Sequence, residues 1–204
     1  MLDGNDTLIM TMDPPEPASL DAELGDDALM RCIAAGNRSA FAVLMRRHVD
    51  RAHALAYRIA GNRSDAEDVV QDAFLKVWTK ADQWRPGTAQ VSTWLYRVVF
   101  NRCLDLKRRP RNDSLDVVDE IGDDKPDALA GIEALQRQRQ MAAAIADLPE
   151  RQRVAVALTY TTGLANHAAA EVMEISVKAF ESLLVRAKKQ LRRQLSGAEE
   201  EWMG

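Results

Sequence analysis

The chain has 204 residues, of which 47% are hydrophobic, and its formal net charge is −4. This length fits one domain or two small ones, and the apolar fraction is sufficient for packed cores. No apolar run is long enough to span a membrane and no signal-peptide pattern opens the sequence, so we expect a cytoplasmic protein without membrane insertion. Phosphate-binding glycine loops and paired His-Glu metal helices are also missing from the sequence. We therefore expect no enzymatic activity, cofactor, metal site or small-molecule substrate.

Charge is distributed unevenly along the chain. Residues 1–30 carry eight acidic residues and no Lys or Arg, whereas residues 31–112 carry 16 basic and 7 acidic residues. Residues 113–136 carry eight acidic residues and one basic residue, and residues 137–204 carry 10 basic and 8 acidic residues. Strand signals are scarce and helix-favouring residues dominate. The sequence therefore predicts an all-α protein, in which an acidic flexible linker joins an N-terminal helical bundle to a C-terminal helix-turn-helix bundle.

The first 24 residues form an acidic arm that we expect to be disordered, because it contains three prolines and few large apolar side chains. A bundle of about four helices is predicted over residues 25–111, and its first two helices occupy residues 26–60. His48 and His53 lie five residues apart and do not share a helix face. They are expected to be ordinary surface or edge residues rather than a zinc pair.

The third helix of the bundle is predicted to begin at Ser64, which lies three residues before Glu67 in the spacing of a capping box. Its apolar residues recur at helical spacing and predict one buried stripe, formed by Val69, Val70, Ala73, Phe74 and Val77. The other side of this helix is an acidic ridge, formed by Asp65, Asp68, Gln71 and Asp72.

The fourth helix is predicted from about Ser92 to Pro110. Trp94, Arg97 and Asn101 share one side of it at steps of three and four, and a basic cluster closes it. With Trp84 and Tyr96 nearby, this helix offers the aromatic faces, amide and cations that single-stranded DNA binding requires. The alternative interpretation is that the aromatic residues belong to the core and the basic run is a solvated helix end. Cys32 and Cys103 are expected to be core residues in a reducing compartment.

The acidic linker occupies residues 112–135 and is expected to act as a tether that keeps two modules at high effective concentration for each other. The second module is predicted over residues 136–196, with a short tail at residues 197–204. A short helix, a turn and a long helix beginning at Val177 follow the helix-turn-helix plan, whose second helix enters the major groove. If the turn has a positive φ, Glu174 costs about 1 kcal/mol there. The alternative is a plain three-helix bundle with a basic terminal helix.

Four stretches of the sequence resemble a known family. DAEDVVQDAFLKVW (residues 65–78) and STWLYRVVFNRCLDLKRR (residues 92–109) resemble the second conserved region of the extracytoplasmic-function sigma factors of bacterial RNA polymerase. LPERQRVAVALTYTTGL (residues 148–164) and ISVKAFESLLVRAKKQLRR (residues 175–193) resemble the fourth region of the same family. The resemblance covers most of the chain. It implies a sigma factor that binds core RNA polymerase and directs promoter recognition, DNA opening and transcription initiation.

The resemblance also implies roles for particular residues. The residues that match the family's contact with core polymerase are Asp68, Gln71, Asp72 and Lys76. Those that match the contact with the minus-ten element are Trp84, Trp94, Arg97, Asn101, Arg102, Lys107 and Arg108, among which Trp84 and Asn101 correspond to a pocket for a flipped base. Contact with the minus-thirty-five element is expected from Lys178, Ser182, Arg186 and Lys189. The chain departs from the family at Glu181 and Leu183, where many relatives carry basic residues.

The family further implies an anti-sigma protein that holds the chain inactive. Two other functions remain open from the sequence. A sigma-mimic decoy would bind an anti-sigma protein without serving a promoter, and the weakly basic helix-turn-helix favours this alternative. A stand-alone helix-turn-helix repressor is the second alternative, but it would not need the acidic-fronted helix at residues 64–78.

Overall fold

The computed structural model describes residues 24–87, 89–108 and 130–201, with side chains from residue 135 to residue 196 in the last range. The helices in these ranges are α1 (Asp26–Ala34), α2 (Arg38–Ala60), α3 (Arg63–Lys80), α4 (Val91–Arg108), α5 (Ala130–Ala146), α6 (Glu150–Val156), α7 (Asn166–Val172) and α8 (Val177–Glu201). A 3-10 turn (Ala81–Gln83) follows α3, and a π-helical segment (Ala157–Thr161) extends α6. The predicted all-α fold class is confirmed. The expectations for residues 1–23 of the acidic arm, for residues 112–129 of the linker and for residues 202–204 of the tail lie outside the described residues.

The first module is organised around α2, which packs against α1, α3 and α4. The predicted apolar stripe of α3 is buried in full. The predicted cap of this helix is wrong by two residues, because Asn62 and not Ser64 is the N-cap. The backbone N–H of Asp65 donates to Asn62 Oδ1 at 2.8 Å, and Asn62 Nδ2 donates back to the Asp65 carboxylate at 2.8 Å. The first of these bonds satisfies one backbone N–H of the first turn, and the second holds the Asn62 side chain in place.

The second module is built by α6 with its π-helical extension, α7 and α8. Phe180 and Ala187 of α8 are buried against this core, together with Leu158 and Ala169 from the preceding helices. The N-terminus of α8 is capped by Ser176, whose Oγ accepts from the backbone N–H of Ala179 at 3.2 Å. Helix α7, the turn and α8 form the predicted helix-turn-helix.

The turn between α7 and α8 has the left-handed geometry that the sequence suggested. Glu174 has φ 54°, the one positive φ at a residue other than glycine in the described part of the chain. The backbone N–H of the next residue, Ile175, donates to Ala170 O at 3.1 Å and closes the C-terminus of α7. A side chain with a Cβ atom is disfavoured in this conformation, so the turn carries a local penalty.

The two modules contact each other in this structure. Helix α2 packs against α6 and the π-helical segment, and α4 packs against α7. The buried residues of both modules form one continuous hydrophobic cluster. The outer face of α4 is therefore partly covered by the second module.

Replacing Glu174 by Gly tests the strain in the turn. Glu174→Gly is expected to raise the free energy of unfolding by about 0.5–1 kcal/mol, because glycine adopts positive φ without a Cβ penalty. Glu174→Ala removes the same carboxylate but keeps the Cβ atom, so it is the matched control and should not stabilise. Urea denaturation of the two variants and the wild type measures both effects, and equal stabilisation by Ala and Gly would show that strain is not the cause.

Candidate nucleic-acid interface

Helix α4 divides its side chains between the core and the surface. Leu95, Val99 and Cys103 are buried as predicted. Tyr96 is also buried, with 1% of its surface exposed, and so it cannot offer a face to a DNA base. The interpretation of Tyr96 as a stacking residue is wrong, because the helix turns it toward the core between the two surface positions Trp94 and Arg97.

Trp84 and Trp94 form an aromatic pair at the start of α4. Their ring centroids lie 5.9 Å apart in an edge-to-face arrangement, and both side chains are half-buried. Trp84 Nε1 donates a hydrogen bond to Asp27 Oδ1 at 2.8 Å. Asn101 is exposed on the same side of α4 but lies seven residues beyond Trp94, about 10 Å along the helix axis. The structure thus brings the two tryptophans together and places the amide about two turns away from them.

The hydrogen bond to Trp84 comes from α1, and the neighbouring Asp26 links the start of this helix to α2. His48 Nε2 lies 2.7 Å from Asp26 Oδ2, and Arg47 Nη1 donates to Asp26 Oδ1 at 2.9 Å. His48 is buried, so the expectation that it is a surface or edge residue is wrong. The hydrogen bond with His48 holds the pKa of Asp26 below its ordinary value, and Arg47 adds to this effect.

Each basic residue predicted to hold promoter phosphates has a carboxylate neighbour. Arg97 pairs with Glu171 of α7, and Lys107 pairs with Glu150 of α6. Arg102 Nε donates to Asp72 Oδ2 of α3 at 2.6 Å. Arg108 Nη1 lies 3.9 Å from Oδ1 of Asp105, three residues earlier on the same helix. Two of these pairs join the modules, and the pair of Arg102 joins α4 to α3.

The residues predicted to contact polymerase share the outer face of α3. Asp68, Gln71, Asp72 and Lys76 are all exposed. Leu75 lies among them and is 56% exposed, which makes it an apolar group at the centre of a polar face. Sequence reasoning missed Leu75, although its position three residues after Asp72 and four after Gln71 places it on that face.

The predicted minus-thirty-five residues lie along the outer face of α8. Lys178, Ser182, Arg186 and Lys189 are all exposed. Ser182 Oγ donates to Lys178 O at 2.8 Å, so its hydroxyl proton is already used within the helix. Val185 lies on the same face and is 65% exposed; sequence reasoning missed it as well.

The carboxylate of Glu181 also lies on this side of the second module, at the end of α8 that the helix-turn-helix plan places nearest DNA. Asn166 Nδ2 donates to Glu181 Oε1 at 3.4 Å. A carboxylate on this part of α8 weakens the positive field of the recognition helix.

The two cysteines are both free. Burial raises the pKa of the Cys103 thiol to about 12, so it remains a protonated core residue. Among the described residues, no cluster of three or more His, Cys, Asp or Glu side chains is arranged to hold a metal ion. Within the same ranges, no helix combines the length and apolar character needed to cross a membrane.

Comparison with known proteins agrees with this geometry. Residues 44–112 match the family model described as Sigma-70 region 2, and residues 138–191 match the model described as Sigma-70, region 4. The chain is 33% identical over 174 residues to the ECF RNA polymerase sigma factor SigM of Mycobacterium tuberculosis, which covers 85% of this chain and 86% of that protein. It is 31% identical over 153 residues to the ECF RNA polymerase sigma factor SigE of Mycolicibacterium smegmatis; this match covers 73% of the chain but only 59% of that relative's length.

A solved structure has a similar fold. The structure of CnrH in complex with the cytosolic domain of CnrY matches with a TM-score of 0.62 and 30% identity, covering 84% of this chain and 97% of CnrH. A region 2 bundle followed by a region 4 helix-turn-helix defines a sigma factor, a class of transcription initiation factors rather than of enzymes. Within this class, the chain belongs to the extracytoplasmic-function sigma factors.

Removing the carboxylate of Asp26 tests how much its contacts with Arg47 and His48 stabilise the fold. Asp26→Asn is expected to lower the free energy of unfolding by about 1–2 kcal/mol at pH 7, because it weakens the hydrogen bonds that the partly buried carboxylate makes with Arg47 and His48. The pKa of Asp26 in the folded state lies below its unfolded value of about 3.9. The stability that Asp26 contributes in the wild type is therefore complete above a pH of about 3.9 and is lost as the pH falls through the folded-state pKa. Thermal melts between pH 6 and pH 3 should show that the variant loses less stability than the wild type. The exposed Asp50→Asn is the control, and parallel pH profiles for wild type and Asp26→Asn would contradict the assignment.

Proposed function

We propose that the chain initiates transcription by binding core polymerase with α3, capturing the opened minus-ten strand with α4 and reading the minus-thirty-five element with α8. The observation that carries this proposal is the row of exposed or half-buried aromatic, basic and amide groups along α4, which lies beside the exposed polar face of α3 on one rigid bundle. A decoy would not need the row on α4, and a repressor would not need the face on α3.

The face of α3 suits a protein partner because it combines charge with one apolar group. Asp68, Gln71 and Asp72 surround Leu75, and a partly apolar centre with a polar rim is the common pattern of protein interfaces. Leu75 is therefore added to the residues that bind polymerase. Its burial in the complex would remove an apolar side chain from water, and few other large apolar side chains are exposed among the described residues.

The row on α4 suits single-stranded DNA. Bases that leave the duplex stack on aromatic faces, and Trp84 and Trp94 together provide such a surface at the start of the helix. Asn101 offers an amide that can pair with a base edge, and Arg97 and Arg102 lie within hydrogen-bonding reach of carboxylates that a phosphate can replace. The free energy for strand separation comes from binding the open form more tightly than the duplex.

The outer face of α8 suits the major groove of duplex DNA. Lys178 and Arg186 provide cations for base edges or phosphates, and the exposed Val185 can contact the methyl group of a thymine. The carboxylate of Glu181 opposes phosphates and favours a base that donates, such as cytosine. This helix thus supplies more sequence discrimination than affinity.

The chain acts in the cytoplasm, where the polymerase lies, and an anti-sigma protein holds it inactive. Family membership supports both statements. The structure of CnrH, which shares the fold of this chain, was solved with the cytosolic domain of a second protein, CnrY, bound to it. The partly apolar face of α3 and the exposed face of α8 are available to a partner of this kind.

Substitution on α3 tests the polymerase contact. Asp68→Asn and Leu75→Ala are each expected to weaken binding to purified core polymerase by about tenfold, since truncation of one central interface residue costs about 1–2 kcal/mol. Asp50→Asn is the control, because Asp50 is exposed on α2 and lies outside the face of α3. Fluorescence anisotropy with labelled protein gives the affinities. Unchanged affinity in both variants would remove this face from the interface, and complete absence of core binding by the wild type would favour the repressor.

Substitution of Asn101 tests strand capture. Asn101→Ala is expected to reduce the fraction of open promoter by about tenfold at equal polymerase occupancy, because one base-edge contact worth about 1–3 kcal/mol forms only in the open state. Permanganate footprinting measures opening, and gel-shift titration measures occupancy. Asn166→Ala removes an amide from the second module and should leave opening unchanged at equal occupancy. An equal loss of binding to closed and pre-melted promoters by Asn101→Ala would show that this residue is not specific to the open strand.

A further inference from the structure

A cavity of about 380 Å³ lies where α2 and the start of α4 meet the second module. Its wall on the first module includes His48 and Arg51 of α2, together with Ser92 and Tyr96 of α4. The opposite wall comes from residues 162–168 of the second module. A volume of this size is typical of small-molecule sites, and neither polymerase binding nor DNA binding, as proposed, uses the cavity.

Two of the lining side chains have buried polar atoms that the described chain does not satisfy. His48 is 6% exposed and Tyr96 is 1% exposed. His48 Nδ1 and Tyr96 Oη are both buried without a hydrogen-bond partner. An unpaired polar atom away from water is costly, so most such atoms in folded proteins are paired. Two of them on residues that line one cavity indicate a polar ligand.

The charge of the lining indicates that this ligand is an anion. No Asp or Glu is among the described residues that line the cavity. Arg51 is exposed at the edge of the cavity and has no ion-pair partner in the described ranges, whereas the cations of α4 pair with carboxylates. The Asp26 carboxylate contacts His48 through Nε2 and is already engaged by Arg47. The cavity thus offers an uncompensated guanidinium, which favours an anion.

The polar groups of the lining can donate hydrogen bonds to an anion. Burial raises the pKa of Tyr96, and the nearby Arg51 opposes this effect only in part, so the hydroxyl keeps its proton. His48 Nδ1 donates when the ring is charged, and the Asp26 carboxylate at Nε2 favours the charged ring. The hydroxyl of Ser92 is a further donor.

We propose that this cavity binds the phosphate group of a small molecule, with Arg51, Tyr96 and His48 as its donors. The planar guanidinium of Arg51 can hold two phosphate oxygens at once, and the buried donors of Tyr96 and His48 can reach the oxygens that face the interior. The ligand is bound and not transformed, so the proposal adds no enzymatic step.

A ligand in this cavity contacts both modules. The donors belong to α2 and α4, whereas residues 162–168 close the cavity from the second module. A ligand that binds only the arrangement in which the modules touch stabilises that arrangement by mass action. The concentration of a phosphate compound would thereby set how strongly the modules hold together. This consequence does not depend on the proposed roles of α3, α4 and α8.

The test is isothermal titration calorimetry on the full chain, with inorganic phosphate and adenosine monophosphate as probes at constant ionic strength. Arg51→Gln is expected to weaken binding by about tenfold, because it removes one charge-assisted hydrogen bond. Arg38→Gln is the matched control, since Arg38 is exposed on the same helix but lies 13 residues earlier, roughly 20 Å along the axis. Its affinity for both probes should equal that of the wild type.

Tyr96→Phe separates a binding role from a structural one. The variant keeps the buried ring and loses only the unpaired hydroxyl, so without phosphate it should melt at or above the temperature of the wild type. It should bind phosphate about three- to fivefold more weakly. The melting temperature of the wild type should therefore rise more on addition of phosphate than that of the variant.

The two probes distinguish the source of the phosphate group. Equal affinities would assign the cavity to the free ion, and tighter binding of adenosine monophosphate would assign it to a phosphate ester. Adenosine lacks the phosphate group and should not bind. The proposal is overturned if neither probe binds saturably at about 10 mM, where a Kd of about 1 mM gives about 90% occupancy. It is also overturned if Arg51→Gln and Arg38→Gln weaken binding equally, which would show adventitious attraction of an ion only.

Discussion

The packing of α4 against α2 and α3 is the constraint on which the other features depend. Leu95, Val99 and Cys103 are held in the core, and this fixes the rotation of the helix about its axis. With that rotation fixed, Trp94, Arg97 and Asn101 must lie on one outer side, and Arg102 must lie beside α3. One buried face thus sets the positions of both the surface proposed to bind DNA and the surface proposed to bind polymerase. A change in this core would displace both surfaces together.

The charge pattern of the chain has a structural counterpart. The net charge of −4 is unusual for a DNA-binding protein, but the basic residues are concentrated at residues 31–112. In the structure, carboxylates of α3, α6 and α7 lie against the cations at the surface of α4. The sequence of the first module therefore has a large excess of basic residues. In the folded free chain, neighbouring carboxylates partly neutralise the charge of those on α4. Partial neutralisation of this kind weakens non-specific attraction to nucleic acid.

Local patterns predicted local structure well. The all-α class, the buried stripe of α3 and the helix-turn-helix follow from apolar spacing. The errors arose where a distant residue decides the environment. His48 is buried because Asp26 from another helix binds it, and Tyr96 is buried because the rotation of α4 is set by packing with its neighbours. The pairs Trp84–Asp27 and Arg97–Glu171 join residues 57 and 74 positions apart, and no periodicity in the sequence reports such contacts.

Transcription in vitro with purified core polymerase and a pool of promoters from the source genome tests the central claim most directly. The account predicts that the chain starts transcription at a defined subset of promoters that share a minus-ten and a minus-thirty-five element, and that core polymerase alone does not. Binding to core polymerase without any specific start would contradict the account and would favour a decoy that occupies an anti-sigma protein.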